Sequence, residues 1–216
     1  MKAYIIGGDK ELLNFLPEVE ITDDLKEAKI VVFGNGPVVS PSLYKEKKIP
    51  EVELKCDINR DRADKAIYTK LRPDQVALGI GRGACFLAVM NGAKLIQYCR
   101  RRSTDASSSY QVELRSGGKR YAFPAISDWT QAINLKELAE AESKDFKVLA
   151  LSKDSADYIT DGDTKRFMKY NGDPEVVKFN KQKSPVSICV QFHPEWMPTS
   201  YLSRFVKEVV YGCANS

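Results

Sequence analysis

Thiol or imidazole chemistry in this chain would have to come from few side chains: one histidine, His193, and five cysteines, Cys56, Cys85, Cys99, Cys189 and Cys213. The cysteines are scattered and no pair has C-x-x-C spacing, so with a single histidine no metal site is expected. Their odd number and scatter read as reduced, intracellular thiols. One stretch has the layout that presents a nucleophile. "GIGRGACF", Gly79 to Phe86, follows an apolar run and precedes a helix-like segment. A sharp turn between strand and helix is where such a side chain is exposed. The residue at the tip is Gly81, which has none. The sequence therefore asks whether the architecture of a reactive site is present without its reaction.

The elements that would position these residues alternate in type. "AYIIGG", "KIVVFGNGP" and "QVALGIG" are short apolar runs ended by glycine, the mark of buried strands. "RDRADKAIYTKL" carries Ala63, Ala66, Ile67 and Leu71 at helical spacing, and "ACFLAVMNGAK" reads as a helix stopped by Asn91-Gly92. "LLNFL" is compatible with one helical turn, and "KLIQYC" with a strand. Strands separated by helices imply crossovers, hence a mostly parallel central sheet with helices on both faces, a three-layer α/β sandwich. Sites in such sheets form beyond the C-terminal ends of strands, so Gly34–Pro37 and Gly79–Gly83 are expected to converge. The second half adds a small antiparallel hairpin, two alternating runs around Ser116-Gly117-Gly118, then strands in "FKVLALS", "EVVKFNK" and "VSICVQF". "SYLSRFVKEVVYG" closes the chain as an amphipathic helix. No repeat or linker is visible, so residues 1–216 read as one domain.

Composition narrows the function classes. Lys plus Arg is 33 and Asp plus Glu is 29, a formal charge of +4. That mild excess is not the clustered charge of a nucleic-acid binder. The one dense run, Arg100-Arg101-Arg102, reads as a solvated turn or an anion contact. The apolar run near the N-terminus is too short for a signal peptide, and no stretch is long enough to span a membrane. A soluble, cytoplasmic protein is expected, with no nucleic-acid or membrane partner.

Three segments fall into one pattern: "VVFGNGPVVSPSLY" from Val31, "GIGRGACFLAVMNGAKLIQ" from Gly79 and "VQFHPEW" from Val190. Together they resemble class I glutamine amidotransferases, and most closely the γ-glutamyl-hydrolyzing, peptidase C26-type branch. The resemblance covers most of the chain and implies a flavodoxin-like fold. In that family a cysteine at the elbow attacks an amide or γ-glutamyl carbonyl, a histidine is base and then acid, and a glutamate orients it. Backbone N–H groups hold the oxyanion. The resemblance implies His193 as base, Glu195 as its orienting acid, and oxyanion donors near Gly36 and at Arg82. It implies no cofactor, and a ligase or synthase partner subunit or self-association. The implied ligand is glutamine or a γ-glutamyl compound.

The departures bear on function. Gly81 stands where the family has its cysteine, leaving the nucleophile position vacant. Asn35 stands where a glycine is usual, Val38 where the branch has Asp, and Cys85 where the family has glutamine. The branch's His-His-Gln segment has only "SDWTQAI" as a counterpart. Glycine adopts the strained elbow conformation freely, so Gly81 is a comfortable replacement once chemistry is not needed. The leading expectation is a degenerate, non-catalytic binding or regulatory protein. Three alternatives stand beside it. Cys85 could act as a displaced nucleophile, although it lies about 6 Å further along the helix axis. Gly81 could be an engineered change in a working enzyme. His193 and Glu195 could activate water. The bland readings are Cys85 as a small buried hydrophobe, His193 as a hydrogen-bonded structural residue, and Phe192 and Trp196 as core. Tyr110, Tyr121 and Trp129 are candidates to line a remodelled pocket.

Overall fold

The computed structural model describes all residues except 8, 51, 101–109, 117–118, 128–129, 154–156 and 160–171. Arg101, Arg102, Trp129 and the Gly117-Gly118 turn therefore lie outside the described residues. The strands are β1 (Lys2–Ile6), β2 (Glu20–Ile21), β3 (Ile30–Phe33), β4 (Val76–Ile80), β5 (Lys94–Ile96), β6 (Tyr98–Arg100) and β7 (Tyr110–Ser116). They continue with β8 (Lys119–Ala125), β9 (Ala132–Asn134), β10 (Phe146–Ser152), β11 (Asp157–Ile159), β12 (Pro174–Phe179) and β13 (Val186–Val190). The helices are α1 (Ile58–Tyr68), α2 (Arg82–Met90), α3 (Lys136–Glu140) and α4 (Tyr201–Ala214).

The main sheet has the order β2-β1-β3-β4-β13-β12-β10-β7-β8. From β2 to β13 every pairing is parallel. From β13 to β8 every pairing is antiparallel. The expected parallel sheet flanked by helices is there. The expected antiparallel hairpin is there as β7–β8, and the pairing of β7 with β10 adds it to the edge of the main sheet. Two further antiparallel pairs, β5–β9 and β6–β11, lie outside it.

Strand alternation divides the core in two. Ile30, Val32, Leu78, Ile80, Ile188 and Val190 pack with Leu202, Val206 and Val210 of α4. Val31, Phe33, Ala77 and Cys189 pack with Ala84, Phe86 and Leu87 of α2. These are the two faces of a three-layer sandwich, and they explain why β3, β4 and β13 are apolar at nearly every position. α2 ends where the sequence says it should: Gly92 has φ +91°, and the Ala93 N–H closes back on the Ala88 carbonyl. α1 departs from expectation. Its buried residues are Asp61 and Asp64, while Ala63 and Ala66 are exposed. Asp61 and Asp64 turn inward because Arg82 waits there; of the expected apolar positions, Ile67 and Leu71 pack partly buried against the α2 side of the core and Ala63 and Ala66 do not.

Candidate functional site

β3 and β4 run side by side, so the loops after Phe33 and Ile80 leave the sheet together. Close packing fixes both. A Cβ on Gly79 would stand 2.4 Å from the Gly83 carbonyl oxygen, and one on Gly83 would stand 1.8 Å from that of Phe33. Neither position admits a side chain. Between them Gly81 sits at φ +56°, ψ −116°, at the N-cap of α2. An L side chain is strained in that region and glycine is not. The Gly81 N–H donates to the Val190 carbonyl at 2.9 Å, which ties the turn to the end of β13.

The segment after β13 brings the histidine to this turn. His193 and Glu195 are buried, and their contact, Nδ1 to Oε1, is 2.7 Å. The His193 N–H donates to the Ile126 carbonyl at 2.9 Å, and the Ser203 hydroxyl of α4 donates to the Pro194 carbonyl at 3.0 Å. A Cβ built on Gly81 would lie 3.2 Å from His193 Cε1 and 3.5 Å from Nε2. Position 81 therefore faces the edge of the imidazole away from Glu195. Trp196 covers one ring face, its centroid 3.8 Å from that of His193 with 15° between planes. Phe192 is core, as expected, but Trp196 is 44% exposed. It lies over the histidine with its other side in solvent.

Cys85 is placed differently. It is buried on the first turn of α2, and its thiol contacts the Gln131 carbonyl at 3.9 Å and Gln191 Oε1 at 3.8 Å. Neither partner is His193. Burial pushes the Cys85 thiol up to about 12 despite the nearby Arg82 charge, so it is neutral at physiological pH.

Arg82 carries two functions at one position. Its backbone N–H is at the start of α2, where helical N–H groups have no intrahelical acceptor. No acceptor for it occurs among the described residues, and the same is true of the Gly36 N–H. Its side chain is consumed in a buried cluster. The guanidinium donates to Asp64 Oδ2, to Asp61 Oδ1 at 2.6 Å and to the Pro37 carbonyl at 3.1 Å. Arg60 adds a bond to Asp64 at 2.9 Å, and the Ser40 N–H donates to Asp61 at 2.9 Å. Burial nonetheless holds the Asp61 carboxyl above its ordinary range, against the opposing pull of the Ser40 N–H and Arg82. This cluster pins the 34–37 loop to α2 and α1. Sequence reading missed Asp61 and Asp64; the signal was an Asp-x-x-Asp spacing on a helix with a poor apolar face.

Between the loops lies a cavity of about 140 Å³ lined by Asn35, Gly36, Val38, Arg82, Cys85, Thr130 and Gln131. Gln131 was also missed. It holds Val39 as a strand neighbour would, accepting from its N–H at 2.8 Å and donating to its carbonyl at 2.9 Å. Of the aromatic candidates, Tyr121 is 46% exposed and Tyr110 donates to the buried Glu175 at 2.7 Å; neither lines this cavity. Among the described residues no group of His, Cys, Asp and Glu could hold a metal, and no helix is long and apolar enough to cross a membrane.

Comparison with solved structures supports the fold. A protein described as a putative GMP synthase subunit from Thermoplasma acidophilum superposes with a TM-score of 0.60 at 16% identity, over 100% of this chain and 94% of that one. That support comes from the Thermoplasma protein alone; a glutamine amidotransferase from Thermotoga maritima is a weaker likeness, 0.49 at 15% identity over 100% and 92%, and adds nothing to it. No curated protein matches in sequence. The family model of peptidase C26 matches residues 13–195, from the turn after β1 to the glutamate beside His193, and the chain belongs to that family.

Proposed function

We propose that this chain is a non-catalytic member of its family, which binds a small glutamine or γ-glutamyl ligand in the crevice between the two loops. The observation that carries this reading is position 81. The turn faces His193 at reacting distance and presents only a hydrogen atom. A thiol route needs a nucleophile within about 3–3.5 Å of the carbonyl and a base to activate it. Cys85 does not supply one, since its thiol is neutral and bonded away from His193. Water activation is also disfavoured, because His193 is fully buried beneath Trp196 and its neighbours.

An open crevice argues for binding over a purely structural role. At about 140 Å³ the cavity approaches the engineered apolar cavity of about 150 Å³ that holds benzene. Arg82 is the one charged lining residue, and its guanidinium is neutralised by Asp61 and Asp64. The crevice therefore offers amide, hydroxyl and backbone N–H groups, which suit a carboxamide better than a bare carboxylate. We further propose that the protein works beside a ligase or synthase as part of a complex, as the name of the Thermoplasma protein suggests for that chain.

Titration calorimetry with L-glutamine and γ-glutamyl amides tests the ligand. Heat of binding is expected with the unaltered chain and not with Val38→Phe, which fills the cavity. Equal binding by both would place the ligand elsewhere.

A further inference from the structure

We infer that a carboxylate-binding site lies beside the crevice, formed by the open guanidinium edge of Arg60 on the first turn of α1. In the proposed ligand this site takes the acid end of the molecule whose carboxamide lies in the crevice, an assignment that rests on the reading above.

Two arginines flank Gly36 where β1 and β3 end side by side, at the sheet edge where open parallel sheets take ligands. A Cβ on Gly36 would stand 3.9 Å from Arg60 Nη1 and 3.9 Å from Arg82 Cδ. The two are spent differently. Arg82 uses Nε on the Pro37 carbonyl and both Nη groups on Asp64 and Asp61. Arg60 uses Nε alone, donating to Asp64 Oδ1 at 2.9 Å. Its two Nη groups have no acceptor among the described residues. The other acid of this turn, Asp57, caps α1 by accepting from the Asn59 and Arg60 N–H groups.

The free edge is held in place. Asp64 is fully buried, and the Arg60 side chain is 24% exposed. The guanidinium lies against Gly7, where a Cβ would stand 3.5 Å from Nη1 and 3.6 Å from Nη2. Gly7 has φ +88°, a conformation that favours glycine, so no side chain covers the Nη pair from the end of β1. An Nη1–Nη2 edge presents two N–H groups in a planar fork that matches the two oxygens of a carboxylate. The Gly36 N–H, also without an acceptor, adds a donor beside Nη1. Because Gly36 lines the crevice, the same residue joins the charged edge to the neutral cavity.

Amide NMR of the unaltered chain, titrated with glutarate, tests the site. Glutarate has carboxylates at both ends and no amide. Saturable movement of the Gly36 amide and Arg60 Nε–H signals is expected, and glutaramide, the neutral diamide, should move neither. An equal response to both compounds, or a response to neither, would overturn the inference. Arg60→Gln should weaken glutarate binding at least about ten-fold, the scale of a hydrogen bond between charged groups. Undiminished binding by that variant would also overturn the inference, and if it does not fold, the two titrations of the unaltered chain decide. Calorimetry with L-glutamine separates this site from the proposed function. A glutarate response at Arg60 without heat from glutamine keeps the carboxylate site and strikes the ligand reading. Heat from glutamine without a glutarate response at Arg60 strikes the site and leaves the proposed function standing.

Discussion

The two sides of the crevice differ in what they hold. On the β13 side, side-chain chemistry is in place: a buried imidazole, a carboxylate 2.7 Å from its Nδ1, and an indole stacked on the ring. On the β4 side only the backbone is in place. The turn passes from β4 into α2 through φ +56°, ψ −116°, and its tip is glycine. The contrast teaches that the two kinds of feature have different causes. Gly79 and Gly83 are dictated by helix–strand contact, through carbonyls that leave no room for a Cβ, and they would be needed whether or not a reaction occurs. A glycine-flanked turn is therefore a statement about packing. Only the side chain at the tip speaks to chemistry.

If packing fixes the turn, Gly83→Ala should have the largest effect of any change at the site. Its Cβ would overlap the Phe33 carbonyl, and a loss of about 4–5 kcal/mol or failure to fold is expected in urea denaturation. Arg82→Leu comes next, at about 3–5 kcal/mol, because it leaves buried Asp61 without its cationic partner and buried Asp64 with Arg60 alone. That deficit should depend on pH. Burial already raises the Asp61 carboxyl, and without Arg82 it rises further. The folded variant then keeps protons that the unfolded chain releases above about pH 4. Its stability should fall as pH rises through that window and recover on acidification towards pH 4. On the other side of the crevice, Glu195→Ala should cost about 1–3 kcal/mol, the loss of one buried hydrogen bond. Trp196→Ala is the smallest, about 1 kcal/mol or less, since half the ring is already in water. Its signature should be faster modification of His193 by diethyl pyrocarbonate. A Gly83→Ala variant as stable as the parent would break the comparison; the His193 readout would sharpen it.

Much of the site's frame was legible in the sequence. The glycine-ended runs before Gly34 and Gly81 are β3 and β4, the Asn91-Gly92 stop closes α2, and the apolar run before His193 is β13. Each is set by local pattern, which a sequence displays directly. What escaped depends on partners far along the chain. Asp61 and Asp64 face inward because Arg82, about twenty residues on, neutralises them, and no periodicity reports that. Gln131 is buried because its amide replaces a strand neighbour for Val39, 92 residues away. Trp196 was expected in the core, but a ring stacked on His193 needs only one face covered.

The central claim is that the crevice binds without cleaving, and ammonia release from L-glutamine by the purified, unaltered chain tests it most directly, with Cys85→Ala and His193→Ala measured alongside. The account predicts no release above the rate in buffer from any of the three. Release by the unaltered chain that Cys85→Ala or His193→Ala abolishes would contradict it, and would place a working nucleophile or base where the geometry shows a vacant turn and a covered imidazole.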